Sequence, residues 1–308
     1  TMRRLVSLRT SARTGGLTAS RRVPKTARPP TRWSSSSASS SEDTTQYTQF
    51  GARRVARDEK DGLVSGVFTS VASRYDVMND LMSGGLHRAW KDRFVRDLGL
   101  GACARATGRA PRLLDVAGGT GDIAFRAAEA LATWLPPDAD APGPSIVVCD
   151  ANAAMLDVGR KKAAARSISA RSMVFEVGNA ERLPYEDGAF DFVTISFGLR
   201  NVTDMDAGLR EMRRVLRPGG RFACLEFSTV RDPALRTAYA AYSRLVIPEL
   251  GARVARDRAS YEYLVESIER HPDQLALLSR LAAAGFVDPS YRDMTFGVVA
   301  VHTGYAPP

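Results

Sequence analysis

A short glycine-rich loop between an apolar run and a helical stretch has the residue types that bind a small molecule. The run Arg112–Ala117 leads directly into residues 118–122 (GGTGD), and apolar periodicity predicts a helix from there onward. Glycines let the backbone approach a ligand closely, and a helix N-terminus offers free N–H groups. The spacing of Gly119, Gly121 and Ala124 also satisfies a dinucleotide-binding fingerprint, so the loop alone leaves an NAD-binding domain open.

Three carboxylates near the loop favour a cationic nucleoside over a dinucleotide. Asp115 and Asp122 flank the glycines, where they would repel a pyrophosphate and attract the amino and sulfonium groups of S-adenosylmethionine. Asp150 ends the next apolar run, and a carboxylate at that place can accept both ribose hydroxyls. Two of them have a structural alternative, because Asp122 suits any first helical turn and Asp150 could cap the following helix. The three together predict a site for S-adenosylmethionine.

The elements that must position these residues alternate as they do in a parallel α/β sheet. Strands are predicted at 112–117, 146–149, 173–177, 190–197 and 221–227, and helices at 122–135, 152–165 and 204–216. This core, 111–230, is expected to follow a helical segment over 46–110. A second helical segment over 231–285 and two final strands within 286–308 are expected to complete the domain.

The positive charge of the chain is concentrated at its start. The formal net charge is +9, but residues 1–41 contain nine Lys and Arg and no acid, so the remainder is balanced. A balanced surface argues against nucleic acid as a partner. An Arg- and Ser-rich, acid-free leader predicts a transit peptide over 1–45, with mitochondria favoured over plastids. The three cysteines and three histidines show no metal-binding spacing, so no metal is expected.

Four stretches resemble one enzyme family. The strings DVAGGTGDIA (115–124), GNAERLPYEDGAFDFVTISFGLRNVTD (178–204), LRPGGRFACLEFS (216–228) and YLVESIERHPDQ (263–274) are similar to the UbiE-type ubiquinone/menaquinone C-methyltransferases. The resemblance implies a class I methyltransferase fold, a Rossmann-like, seven-stranded, mostly parallel sheet with helices on both faces. The implied reaction is methylation of a ring carbon of 2-methoxy-6-polyprenyl-1,4-benzoquinol by S-adenosylmethionine. A naphthoquinol methyltransferase and a non-catalytic subunit of a quinone-biosynthesis complex remain alternatives.

The resemblance, added to the loop argument, assigns the site residues. The expected cofactor contacts are Asp115, Gly119, Thr120, Gly121, Asp150, Asn179, Ala180 and Ser196. Arg200 and Asn201, after the fourth strand, and Tyr75, on a segment that the family folds over the cleft, are expected at the acceptor. The Arg200 guanidinium would lower the pKa of a quinol hydroxyl, about 10 for a free phenol, and stabilise the phenolate. A surface salt bridge for Arg200 and helix packing for Tyr75 are the alternatives, and the proton acceptor is left open.

An isoprenoid tail on the acceptor would need an apolar path. The stripe Leu235, Tyr239, Tyr242, Val246, Ile247 and Leu250 could line such a path, although packing on the sheet is the commoner fate of such stripes. The implied partners are the polyprenylated quinol, a membrane contacted peripherally, other ubiquinone-biosynthesis proteins and a second copy of the chain. The implied location is the matrix side of the mitochondrial inner membrane.

Overall fold

The computed structural model describes residues 47–71, 75–134, 145–169 and 172–308. The leader expected over 1–45 lies outside the described residues. Among the described helices, none has the length and apolar character needed to cross a membrane.

Strands and helices alternate through most of the described chain. The strands are β1 (Tyr47–Phe50), β2 (Arg53–Ala56), β3 (Leu113–Val116), β4 (Ile146–Asp150), β5 (Met173–Val177), β6 (Phe190–Ser196), β7 (Leu216–Phe227), β8 (Val287–Met294) and β9 (Val299–Tyr305). The helices are α1 (Arg57–Val71), α2 (Tyr75–Ser83), α3 (Leu86–Leu98), α4 (Leu100–Thr107), α5 (Asp122–Ala132), α6 (Ala153–Ala165), α7 (Met205–Arg214), α8 (Pro233–Leu245), α9 (Ile247–Leu250), α10 (Arg258–Arg270) and α11 (Gln274–Ala283). Short 3-10 turns cover Leu199–Asn201 and Thr295–Gly297, and a π-helical turn covers Gly251–Ala255.

Seven of these strands form one sheet in the order β5-β4-β3-β6-β7-β9-β8. The pairs from β5 through β7 are parallel, whereas β9 runs antiparallel to both β7 and β8. This topology confirms the expected class I methyltransferase fold. The chain order reverses between β3 and β6, and ligands bind α/β sheets at the carboxyl ends of the strands beside such a reversal.

Helices cover both faces of the sheet, and each face has its own apolar core. One core contains Trp90 and Phe94 of α3 together with Ile123 of α5. The other contains Leu209 of α7 and Leu277 of α11. Because β3 and most of β6 are buried, their sequences are near-continuous apolar runs rather than alternating ones.

The first described residues differ from the helical segment expected over 46–110. They form an antiparallel hairpin of β1 and β2, with Tyr47 opposite Ala56, before α1 begins. The Phe50 ring of this hairpin stacks on Tyr263 of α10 with ring centroids 4.2 Å apart. This partner lies more than 200 residues away, so a local sequence pattern could not reveal what stabilises the hairpin.

The Pro-Gly-Gly stretch 218–220 lies inside β7 rather than between a helix and a strand. Helix α7 ends at Arg214, and Leu216 already pairs with Phe190 of β6. Phe192 then pairs with Arg221, so the residues between form a bulge, which the positive φ of Gly219 (+71°) accommodates.

Candidate active site

A cleft at the carboxyl ends of β3, β4 and β6 contains most of the predicted cofactor residues. Its lining includes Asp115, Gly119, Thr120, Asp150, Asn179, Ala180 and Ser196. Gly121 is not among the lining residues: a Cβ there would lie 3.1 Å from Phe175 and 3.2 Å from Phe125. Its φ of +84° and this close packing explain why glycine is needed, and they give it a role in shaping the loop.

Asp150 holds the glycine loop against the end of β4. Its Oδ2 accepts a 2.8 Å hydrogen bond from the Gly119 backbone N–H, and its Oδ1 accepts one of 2.8 Å from the Asn152 backbone N–H. Burial raises the pKa of Asp150, and the two N–H donors oppose that shift. The capping alternative for Asp150 is wrong, because Asn152 caps α6 by accepting from Met155 N–H.

Two polar atoms in the cleft have no hydrogen-bond partner within the described part of the chain. Asp115 Oδ1 accepts a 2.8 Å hydrogen bond from the Thr194 hydroxyl, but its buried Oδ2 has none. The Ser196 hydroxyl at the end of β6 is also buried without a partner. Burial raises the pKa of Asp115 to about 7, and the charges of Asp122 and Asp150 add to the shift. Since unpaired buried polar groups are costly, both atoms fit a polar, cationic ligand.

Asn179 and Thr120 each make a contact with the protein itself. Asn179 Oδ1 accepts a 2.8 Å hydrogen bond from the Glu181 N–H, which is the local turn contact that its residue type favours. The Thr120 hydroxyl accepts a 3.1 Å hydrogen bond from Lys162. Both residues line the cleft, and their contact with a cofactor stays a prediction.

An apolar cavity of about 360 Å³ adjoins the cofactor cleft. Phe68, Lys91 and Phe197 line both spaces, so the two meet at these side chains. Three residues of the predicted apolar stripe, Tyr239, Tyr242 and Ile247, line the cavity, whereas others pack on the core or face solvent. The stripe is therefore divided between lining the cavity and packing, and its contact with an isoprenoid tail stays a prediction.

Arg200 lines the apolar cavity and forms a buried ion pair that its sequence context did not reveal. Its Nη1 lies 3.2 Å from Glu226 Oε1, and the two side chains are 4% and 1% exposed. Arg200 Nε also donates to the Ser267 hydroxyl at 3.3 Å. The alternative of a surface salt bridge is wrong, because this pair is excluded from water. The sequence signal that could have found Glu226 is a lone acid within an apolar strand.

Of the two other residues predicted at the acceptor, the structure describes the side chain of Asn201 but not that of Tyr75. Asn201 lines the cofactor cleft, and its Oδ1 accepts a 2.9 Å hydrogen bond from the Tyr263 hydroxyl. Burial raises the pKa of Tyr263 to about 12, so this hydroxyl stays protonated and donates. Tyr75 begins α2, but its side chain lies outside the described residues.

Lys91 is a residue of the site that sequence reasoning missed. It lies on α3, is buried, and donates a 2.7 Å hydrogen bond to Asp122 Oδ2. Arg126 pairs with the same carboxylate, and although burial opposes ionisation, the two cations hold the pKa of Asp122 below its usual range. Asp122 is therefore balanced by protein cations. A lysine within the apolar stripe of α3 was the available signal.

The fold is that of an α/β methyltransferase, and its carboxylate-bearing cleft lies beside an apolar cavity. A family model described as the ubiE/COQ5 methyltransferase family matches residues 54–306. The chain belongs to that family. The match confirms the resemblance found in the sequence, and with it the expected enzyme class, a methyltransferase that uses S-adenosylmethionine.

Curated relatives match this chain over nearly their whole length. A ubiquinone/menaquinone biosynthesis C-methyltransferase UbiE from Dinoroseobacter shibae is 51% identical over 264 residues, which are 86% of this chain and 98% of the relative. One from Methylobacterium nodulans is 52% identical over 258 residues, 84% and 96% of the two chains. Among solved structures, a SAM-dependent methyltransferase from Thermotoga maritima has a TM-score of 0.48 and 17% identity, covering 78% of this chain and 99% of its own.

These relatives correct one expectation. The mitochondrial location predicted from the leader is wrong, because the similar curated proteins are bacterial UbiE proteins.

Proposed function

We propose that this chain transfers the methyl group of S-adenosylmethionine to a ring carbon of a polyprenylated quinol in quinone biosynthesis. The curated relatives carry that biosynthetic name. The observation that carries the proposal is the joining of an apolar cavity to the cofactor cleft through Phe197 and Lys91. Such a junction brings a hydrophobic acceptor next to a bound methyl donor. The acceptor we favour is 2-methoxy-6-polyprenyl-1,4-benzoquinol.

The cleft residues bind and orient the donor. S-adenosylmethionine, when bound, supplies a methyl group that is already activated, so the protein mainly provides position. In this proposal Asp150 accepts the ribose hydroxyls, and its hydrogen bonds from the Gly119 and Asn152 backbone N–H groups fix the orientation of the carboxylate. Asp115 Oδ2 and the Ser196 hydroxyl have no hydrogen-bond partner within the described cleft, so they can bond polar groups of the cofactor. The pKa of Asp115 is raised to about 7 by burial, and binding of a cationic ligand beside it lowers that pKa. Asp115 is therefore ionised when the ligand is bound.

The cavity residues must favour ionisation of the acceptor. A ring carbon becomes a good nucleophile when a neighbouring hydroxyl loses its proton, and a free phenol has a pKa of about 10. The Arg200 guanidinium lines the cavity and stabilises a phenolate electrostatically. Part of its charge is offset by Glu226, so its effect on the hydroxyl pKa is smaller than that of an unpaired arginine.

The acceptor's tail accounts for the remaining features of the cavity. Leu86 lines the cavity and is 46% exposed, so the cavity reaches the surface near the start of α3. A tail that leaves there would remain in the membrane while the ring reaches Phe197, which requires peripheral membrane contact. Association with other quinone-biosynthesis proteins and with a second copy of the chain are further parts of this proposal.

The test is methyl transfer by the full chain. The protein is incubated with methyl-labelled S-adenosylmethionine and a short-tailed methoxy-benzoquinol kept reduced, and the product is analysed by mass spectrometry and NMR. Label on a ring carbon supports the proposal, and preference for a naphthoquinol would change the acceptor. Label on oxygen, or no transfer despite cofactor binding, would overturn it. Calorimetric binding of NADH but not of S-adenosylhomocysteine would refute the methyltransferase mechanism altogether.

A further inference from the structure

A histidine–aspartate pair lies at the apolar cavity. His87, in the first turn of α3, lines the cavity and is 6% exposed. Its Nε2 lies 2.8 Å from Asp80 Oδ1 of α2. Its Nδ1 is buried and has no hydrogen-bond partner among the described residues. A buried imidazole nitrogen without a partner has an unmet capacity for a hydrogen bond.

The surroundings of the pair set its tautomer. Arg88 donates to Asp80 Oδ1 at 2.6 Å and also pairs with Oδ2, which holds the pKa of Asp80 below its usual range. Because the ionised carboxylate can only accept a hydrogen bond, the proton of the neutral imidazole lies on Nε2. Nδ1 then has a free lone pair and can accept a proton. Ser83 Oγ accepts the His87 backbone N–H at 3.2 Å and further orients this turn.

The charges around the imidazole favour its neutral form. Burial lowers the pKa of His87, and Asp80 opposes that shift. The other charged groups that face it are Lys91 on α3 and Asp122 on α5, which are paired with each other. The phenols of Tyr242 and Tyr263 also line the cavity, and burial raises the pKa of both. At neutral pH the imidazole is therefore an uncharged base.

The other polar groups that line the described cavity are poorly suited to accept a proton. The guanidinium of Arg200 has only N–H donors and is paired with Glu226, and Lys91 is held in an ion pair with Asp122. Tyr263 has a pKa raised to about 12 and donates its hydrogen bond to Asn201. Within the described lining, His87 is the one histidine.

We propose that His87 is the catalytic base that removes the hydroxyl proton of the quinol, and that Asp80 is the residue that positions it. This inference rests on the proposed function. The quinol O–H bond breaks, its proton moves to His87 Nδ1, and the electron pair stays on oxygen as phenolate. The ring carbon then forms a bond to the methyl group while the methyl–sulfur bond breaks and its pair stays on sulfur. The ring C–H proton leaves to solvent, the ring regains aromaticity, and the imidazolium returns its proton to the oxygen. One proton is released overall.

The first test compares His87→Gln with the wild-type full chain in single-turnover methylation. Glutamine keeps an N–H that can donate to Asp80 but has no basic nitrogen. We expect unchanged binding of S-adenosylhomocysteine and a methylation rate lower by about 10²–10³-fold. The remaining rate should rise about tenfold per pH unit toward the pKa of the quinol, because hydroxide then does the work of the base. The wild-type rate should be flat above neutral pH and fall only at acidic pH, where His87 becomes protonated.

Two further measurements separate a chemical role from a structural one. An acceptor that carries enough electron-withdrawing ring substituents to be ionised at the assay pH should react with His87→Gln at nearly the rate at which it reacts with the wild type. His87→Ala should be rescued by added imidazole. Asp80→Asn should lose less than His87→Gln, about tenfold, since it disturbs only the orientation and tautomer. His302→Gln is the matched control, because His302 is buried and bonds a backbone carbonyl away from the cavity.

The outcomes distinguish this inference from the proposed function. If the wild type places no label on ring carbon, the proposed function fails first. If the wild type is active but His87→Gln is equally active, or equally slow with both acceptors and unaffected by pH, His87 is not the base. Failure of imidazole to restore His87→Ala while the variant still binds the cofactor product would have the same meaning.

Discussion

Replacing Glu226 by glutamine should destabilise the protein strongly, although the side chain keeps its size. The substitution removes the carboxylate opposite Arg200, whose side chain is only 4% exposed. Breaking a buried ion pair by removing one partner leaves an uncompensated charge and costs about 3–5 kcal/mol. At about 2–4 °C per kcal/mol for a domain of this size, the melting temperature should fall by at least about 6 °C.

The same substitution should also change the chemistry in a defined direction. Without Glu226, the full charge of Arg200 acts on the acceptor in the cavity. The phenolate is then favoured at lower pH, so the dependence of methylation on pH should shift toward acid. The measurement is thermal unfolding of the full chain by circular dichroism, followed by single-turnover methylation across pH at a temperature where the variant is folded.

Two control variants test whether the loss of stability comes from a buried unpaired charge. Glu269 pairs with Arg244 at the surface, where the side chains are 39% and 66% exposed, so Glu269→Gln should leave the melting temperature nearly unchanged. The double variant Arg200→Met/Glu226→Leu should recover much of the lost stability, because no buried charge remains. If Glu226→Gln melts with the wild type, or the double variant is less stable than Glu226→Gln, the buried-charge reasoning is wrong.

Three more predictions concern the cofactor cleft. Asp150→Ala should weaken S-adenosylhomocysteine binding at least about 100-fold by calorimetry, since two or more hydrogen bonds to a charged group are lost. Asp157→Ala is the control and should not weaken binding, because the Asp157 side chain on α6 is exposed. Because Asp115 has a folded pKa of about 7 against 3.8 for the unfolded chain, the folded state binds its proton more tightly. The ligand-free enzyme should therefore lose stability as pH rises from about 4 to about 7, and Asp115→Asn should remove that loss in thermal melts. Gly121→Ala should destabilise by about 1–3 kcal/mol in denaturant unfolding, because φ is +84° and a Cβ would meet Phe175; wild-type stability would contradict the role of Gly121 in shaping the loop.

The cofactor cleft was largely predictable because parallel strands bring their carboxyl ends to one edge. The α/β pattern predicted that Asp115, Asp150 and Ser196 belong to strands of one parallel sheet, and the family resemblance assigned Ser196 to the cofactor. The family resemblance added Asn179 and Ala180 to the same cleft. The expected helical start of the domain was less accurate, since the hairpin of β1 and β2 depends on a distant partner on α10.

The apolar cavity was less predictable because its contacts join elements far apart in the chain. Periodicity placed Tyr239 and Ile247 on an apolar face without showing that this face borders a cavity. Lys91 and Asp122 are 31 residues apart, and Arg200 and Glu226 are 26 residues apart. No local pattern indicates that such charges will be buried together.

The sequence by itself determined the strand–helix alternation, the glycine loop and the acids that accompany it. These follow from side-chain periodicity and backbone freedom, which act over a few residues. Only the tertiary structure decided which charges neutralise one another, that His87 lines the apolar cavity and pairs with Asp80, and that the two spaces meet at Phe197. Those properties depend on the distances between packed elements and on the exclusion of water from them, because both change how strongly charges interact.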